Sequence, residues 1–351
     1  MVADHQGGGH QGRIKRHVAR ISERHALKLL RRAFLHLVAG AAALPAFSRI
    51  ARAQIYPVRP VRIIVGFSAG GTTDIIARLI AQWLSERLGQ QFIIENRPGA
   101  SANLATEAVV RASPDGYTLL AVVGTNAINA TLYDKLSFNL NRDIAPVAGF
   151  TRSPLVLEVH PSVPATTVPE LVTYAKAHPG KITMASFGVG STSHVAGELF
   201  KMMAGVDLLH VPYRGSGPML TDLVGGQVQM AFDNLPASIG HIRAGKLRAL
   251  AVATTTPSEA LPNIPTVADF LPGYEASAWG GLGAPKDTPA EIIHKLNKEI
   301  NAALGDPRIK ARIAELGATA FPTSPSEFGK FIANETEKWG KVIRAANIRA
   351  E

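Results

Sequence analysis

From residue 58 onward, short apolar runs alternate with segments of helical period. The run 61–65 has the length of a buried strand. Behind it, Ile75, Ile76, Leu79, Ile80, Trp83 and Leu84 recur at helical spacing, predicting a helix through Leu88 that Gly89 ends. A strand at 92–95, a helix at about 101–111, the turn Ser113-Pro114-Asp115-Gly116 and a strand at 117–123 continue the rhythm. Strands are expected again at 155–159, 182–186, 207–211, 228–232, 247–253 and 278–283. Helices are expected at 168–178, from about 194 to 204, and at 219–224, 289–304, 307–315 and 326–346, while four prolines make 256–272 loop-rich. Such alternation predicts the α/β class with a parallel sheet. Two lobes follow if the strands at 154–159 and 277–283 are the crossings. Residues 54–153 and 278–351 then form one lobe, 154–277 form the other, and a ligand cleft lies between them.

The first strand leads into Gly66-Phe67-Ser68-Ala69-Gly70-Gly71-Thr72-Thr73-Asp74. Glycines permit a sharp turn, and Thr72, Thr73 and Asp74 suit a helix start. A helix start has free N–H groups and partial positive charge, so it suits a carboxylate or phosphate. A second strand–glycine–helix junction recurs at Gly188-Val189-Gly190-Ser191-Thr192-Ser193-His194. Candidate ligand-binding residues are therefore Phe67, Ser68, Ala69, Gly70, Gly71 and Thr72 in the first loop, with Gly188, Gly190, Ser191 and Thr192 in the second. Thr125 and Asn126 after the third strand, and Asp233 at a later strand end, complete the set.

The same first loop spells G-x-S-x-G, the pattern of a hydrolase nucleophile. Ser68, Asp233 and His294 fall in hydrolase order, so a secreted serine esterase is the competing reading. It lacks an HGGG-type phrase upstream, and only one strand precedes the serine.

The first 53 residues differ in kind. A basic stretch with Arg31-Arg32 precedes Phe34-Leu35, an apolar run of about 16 residues and a small-x-small site at 51–53. This predicts an export signal of twin-arginine type, cleaved after Ala53. An apolar run this short favours a signal over a spanning anchor, which needs roughly 20 residues. The segment holds ten of the 37 Lys/Arg and two of the 27 acidic residues, so the net +10 falls to +2 once it is removed. The basic charge is then no argument for nucleic acid. Cysteine is absent, which excludes disulfides and thiol chemistry. The histidines past the signal are scattered, so neither a metal nor a cofactor is expected.

Several phrases occur in a telling order: Tyr56-Pro57, Gly70-Gly71-Thr72-Thr73-Asp74, Glu95-Asn96-Arg97-Pro98-Gly99-Ala100, Pro114-Asp115-Gly116-Tyr117, Gly190-Ser191-Thr192-Ser193-His194, Val211-Pro212-Tyr213-Arg214-Gly215, Phe232-Asp233-Asn234 and Ala284-Pro285-Lys286-Asp287-Thr288-Pro289. This order resembles the tripartite tricarboxylate transporter substrate receptors, the Bug or TctC-like proteins, over roughly 56–345. The resemblance implies a two-lobed type 2 periplasmic-binding-protein fold. It also implies a monomeric, non-enzymatic periplasmic receptor that closes on a small carboxylate and delivers it to membrane permease subunits. The grip would come from 67–72 and 188–192. The chain departs from the family pattern at Ser101-Ala102-Asn103-Leu104, which is less glycine-rich, and at Gly124-Thr125-Asn126-Ala127. A periplasmic sensing module is a further reading.

Overall fold

The computed structural model describes residues 56–345 and 348–350. The export signal expected at 1–53 and its cleavage point lie outside the described residues. The strands are β1 (Val61–Val65), β2 (Phe92–Asn96), β3 (Thr118–Val123), β4 (Ile144–Val159), β5 (Thr183–Ser186), β6 (Leu209–Pro212), β7 (Met230–Asn234), β8 (Arg248–Val252), β9 (Ser277–Pro285) and β10 (Thr319–Ala320). They form one sheet in the order β2-β1-β3-β9-β4-β7-β5-β6, with β8 and β10 also paired to β4.

The sheet is mixed, not parallel throughout. β1 runs parallel to β2 and β3, and β5 runs parallel to β6 and β7. Each triplet is built from strand–helix–strand units, which force parallel neighbours. β9 is antiparallel to β3 and β4, and β4 is antiparallel to β7. β9 enters from the proline-rich segment instead of a crossover helix, so its direction is free to reverse.

β4 is 16 residues long, although only its last five residues read as a strand in sequence. Residues 144–154 pair with β9, and 155–159 pair with β7 and β8. Pro146 and Pro154 cannot donate to a ladder. The register slips between Pro146 and Ala148 and again between Gly149 and Thr151, and these irregularities hid the strand.

Helix Thr72–Leu88 shows how the pattern becomes structure. Ile76, Ile80 and Leu84, spaced by four, are all buried. Gly89 adopts a left-handed conformation (φ 70°) and its N–H closes on Ser85 O at 3.1 Å, ending the helix. This helix packs with Ile63, Val65, Leu296 and Ile300 in one core. Leu155, Leu157, Met184, Phe200, Phe232 and Tyr274 form a second core. Each fully buried side chain of this size contributes about 1.5–3 kcal/mol. Helices Gly124–Leu132 and Leu235–Arg243 were not evident from periodicity. Both are nine residues long and begin on strand ends, so they offer only about two and a half turns of pattern. No helix among the described residues is long and apolar enough to cross a membrane.

Gly149 in β4 tests the packing of this seam. A Cβ there would meet Phe321 O at 2.5 Å and the Phe321 ring at 2.7 Å. Gly149→Ala is expected to lower stability by about 1–3 kcal/mol in urea unfolding. Gly305→Ala, at a helix end with nothing within 4 Å, is expected to be neutral or stabilising. Equal behaviour of the two variants would contradict this packing.

Candidate functional site

Helices Thr72–Leu88, Gly124–Leu132, Thr192–Ala204, Ser216–Val224 and Leu235–Arg243 start just beyond the C-terminal ends of β1, β3, β5, β6 and β7. Strand polarity thus points five helix N-termini at one place. A cavity of about 40 Å³ lies there, lined by residues of all five starts: Gly71, Thr72 and Thr73; Gly124 and Thr125; Thr192; Ser216; and Asn234. The starts are closely apposed. A Cβ on Gly71 would lie 3.5 Å from Ser216 Cβ, and one on Gly124 would lie 3.0 Å from Thr192 Cγ2. Thr72 Oγ1 donates to Asn234 O at 3.4 Å.

The first N–H groups of a helix have no partner inside it. Gly71, Val123, Gly215 and Asn234, the residues preceding four of these helices, supply no side-chain cap. Only Ser191 caps its own helix, accepting from His194 N. The rest of the wall is apolar, with Phe67, Ile76, Phe150, Phe187 and Trp279, plus the hydroxyls of Thr151 and Ser153. Among the described residues, no Asp, Glu, Lys, Arg or His lines the cavity. The arrangement therefore suits an anion held by backbone N–H groups and hydroxyls beside an apolar body.

A supporting layer holds the wall in place. Asp74 accepts from Gly70 N (3.1 Å), from Arg78 (2.8 and 3.0 Å) and from Asn96 (3.0 Å), and Asn96 donates to Phe67 O (3.0 Å). Burial alone would raise the Asp74 carboxyl; hydrogen bonds from Arg78, Gly70 and Asn96 outweigh it and hold the group below its ordinary value. The Trp279 indole N–H donates to Glu335 at 2.9 Å, and its ring meets Phe328 and Phe331 edge-on. The C-terminal helix Pro325–Ala345 thereby fixes the tryptophan wall.

Of the residues singled out in sequence, Phe67, Gly71, Thr72, Thr125 and Thr192 line the cavity. The others lie outside its wall. Ala69 and Gly70 are exposed at the loop tip. Asn126 accepts from Val123 N (2.8 Å) and donates to Thr106 (2.9 Å), bracing the helix start. Gly188 and Gly190 pack near Ser101 and Asn129. Asp233 is fully buried and accepts from Ser216 (2.6 Å) and Ser238 (3.0 Å). Ser68 Oγ has no hydrogen-bond partner, and a Cβ on Gly215 would lie 2.5 Å from it. His294 is exposed on helix Ala290–Gly305, so Ser68, Asp233 and His294 form no triad. The lining residues Phe150, Thr151, Ser153, Phe187 and Ser216 carried no functional signal in sequence. Gly215, in the Tyr-Arg-Gly phrase, was the one cue to the start at Ser216. Among the described residues, no group of three or more His, Asp and Glu could hold a metal.

This fold is that of a periplasmic binding protein: it matches the structure of periplasmic binding protein BugD with a TM-score of 0.82 at 31% identity, over 84% of this chain and 100% of that one. Residues 76–348 match the Tripartite tricarboxylate transporter family receptor, and the chain belongs to that family. The protein BugT of Bordetella pertussis is 37% identical over 300 residues, covering 85% of this chain and 92% of BugT. The structure of R. palustris Rpa4515 with adipate is 40% identical, with a TM-score of 0.82 over 84% of this chain and 99% of that one. MatC from Rhodopseudomonas palustris with bound malate is 34% identical, with a TM-score of 0.79 over 82% of this chain and 100% of that one. The resemblance read from the sequence phrases therefore holds.

His194 supplies a test of the scaffold behind the second loop. Its Nδ1 accepts from Gly190 N at 3.0 Å, and its ring stacks on His210 at 4.1 Å. Burial, aided by Lys201, pushes its pKa down to about 4. The unfolded chain binds a proton near 6.5, so this stabilisation is complete above 6.5 and lost as pH falls toward 4. The loss is on the order of 3 kcal/mol at most. His194→Asn is expected to unfold with a shallower pH dependence between 6.5 and 4 than the parent. Equal slopes would contradict a buried neutral imidazole.

Proposed function

We propose that this chain is a periplasmic receptor that closes on a small organic carboxylate and presents it to the permease of a tripartite tricarboxylate transporter. The observation that carries this reading is the wall of five helix starts with no charged side chain. Each start favours an anion by about 0.3–1 kcal/mol, rising to about 2 when partly buried. Each hydrogen bond to the carboxylate adds about 1.5–3 kcal/mol. The phenyl and indole faces suit a short carbon skeleton. Adipate and malate in the related structures are acids of this kind.

Closure is part of the proposal. Residues 54–153 with 278–351 form one lobe and 154–277 the other. Two features support it: β4 changes partners from β9 to β7 and β8 at 154–155, and β9 begins at Ser277. On this reading the cavity of about 40 Å³ is the cleft between the lobes, and they separate to admit ligand. Residues 1–53 act as a removed export signal, and the receptor works as a monomer.

Gly71 gives a discriminating test. Its φ of −79° is open to any residue, and its position before the helix is one that Asp fills well as a cap. Gly71→Asp is expected to keep or raise melting stability while occupying the N–H groups and adding negative charge, abolishing carboxylate binding in calorimetry. In the parent, adipate or malate at 100 times its dissociation constant is expected to add about 2.7 kcal/mol of stability. Stabilisation by neutral sugars but by no carboxylate would overturn the reading.

A further inference from the structure

Behind the cavity wall, a chain of hydrogen-bonded groups ends in a buried carboxyl. Ser216, a wall residue, lies 2.6 Å from Asp233 Oδ1. Asp233 Oδ2 lies 3.0 Å from Ser238 Oγ, which lies 2.9 Å from Glu158 Oε1. Glu158, Asp233 and Ser238 are all 0% exposed, and Glu158 Oε2 has no partner.

Counting protons decides what this chain can do. Three hydrogen bonds link the four groups, and the two hydroxyls supply two protons. When Ser216 and Ser238 both donate to Asp233, the third proton must be on Glu158, donating to Ser238. Ser216 then offers only lone pairs to the cavity. For Ser216 to donate into the cavity and still keep its bond to Asp233, Asp233 must also carry a proton and donate it to Ser216. The direction of the wall hydroxyl is thus tied to the proton count of the carboxyl pair.

We infer that Ser216 is a specificity-determining residue whose hydrogen-bond polarity is set by the Asp233–Ser238–Glu158 chain, so that a carboxylate binding against it takes up one proton. This rests on the receptor reading above. The proton comes from solvent and settles on Asp233 Oδ1, while the Ser216 hydroxyl turns its hydrogen to the ligand. An ionised Asp233 one hydroxyl away would also repel the incoming anion, so charge and hydrogen bonding act in the same sense.

Among the described residues, the groups that act on the pair are the two carboxyls themselves, the Ser216 and Ser238 hydroxyls and the Asn234 backbone N–H. Asp222 accepts from Tyr213 (2.7 Å), and Lys201 pairs with Glu198 (2.9 Å) on the helix of His194. Arg243 donates to Glu315 O, Arg248 donates to the carbonyls of Val163 and Ala165, and His241 lies in the last turn of its helix. Burial raises both carboxyls, Asp233 to about 6, and its negative neighbour raises Glu158 further. Asp233 can accept from both hydroxyls and also accepts from the Asn234 backbone N–H, whereas Glu158 has only the Ser238 hydroxyl within reach, so Glu158 holds the resident proton.

The test is calorimetry of malate and adipate at pH 8 in buffers of different ionisation enthalpy. Uptake of about one proton per ligand is expected, with affinity rising about tenfold per unit fall in pH between 9 and 7. Asp233→Asn and Ser216→Ala are expected to bring uptake to near zero. Infrared spectra of the ligand-free protein should show a protonated buried carboxyl at pH 7 that Glu158→Gln removes. Carboxylate binding with buffer-independent heat, or absence of that band, overturns this inference and leaves the receptor reading standing. Failure to bind any carboxylate overturns both.

Discussion

The N–H groups at the start of a helix cannot be satisfied within it, and that constraint organises this site. Five helices begin around one cavity, and four of them follow residues that provide no side-chain cap. Helix starts can meet like this only because β1 and β3 run opposite to β5, β6 and β7, so that the C-terminal ends of the two groups point toward each other. Parallel strand–helix units produce that polarity on each side, and the antiparallel seam of β4 and β9 sets the two sides facing one another.

A wall without ionic side chains has consequences for recognition. An arginine brings a full charge whose water must be stripped away on closure, and the cost can exceed the attraction. Backbone N–H groups are already fixed by the helix and need no such reorganisation. Charged residues instead support the wall from behind: Asp74 holds the first loop, Glu335 holds Trp279, and Asp233 holds Ser216. The wall itself then remains shape, hydroxyls and partial charge.

The glycine loops at 66–71 and 188–191 were legible because a strand, a glycine turn and a helix start are each local patterns. The α/β class followed from the same rhythm, and the order of phrases was enough to indicate the family. What escaped was non-local. The strand containing Phe150, Thr151 and Ser153 was masked by Pro146 and Pro154, and only pairing with β9 reveals it. Ser68 sits within the loop the glycines announce, yet the chain turns its hydroxyl toward Gly215, where that oxygen has no hydrogen-bond partner. Asp233 reads in sequence as an acid at a strand end, but whether it meets a ligand or a buried glutamate depends on residue 158, across the β4–β7 pairing.

The central claim is that a carboxylate is held by helix starts and not by cationic side chains. A crystal structure of residues 54–351 with bound adipate or malate tests it most directly. The account predicts carboxylate oxygens about 2.7–3.2 Å from backbone N–H groups in the first turns after Gly71 and Val123 or Ser191, with no Lys or Arg in contact. A carboxylate bound outside the cavity on an arginine such as the exposed Arg214 would contradict it.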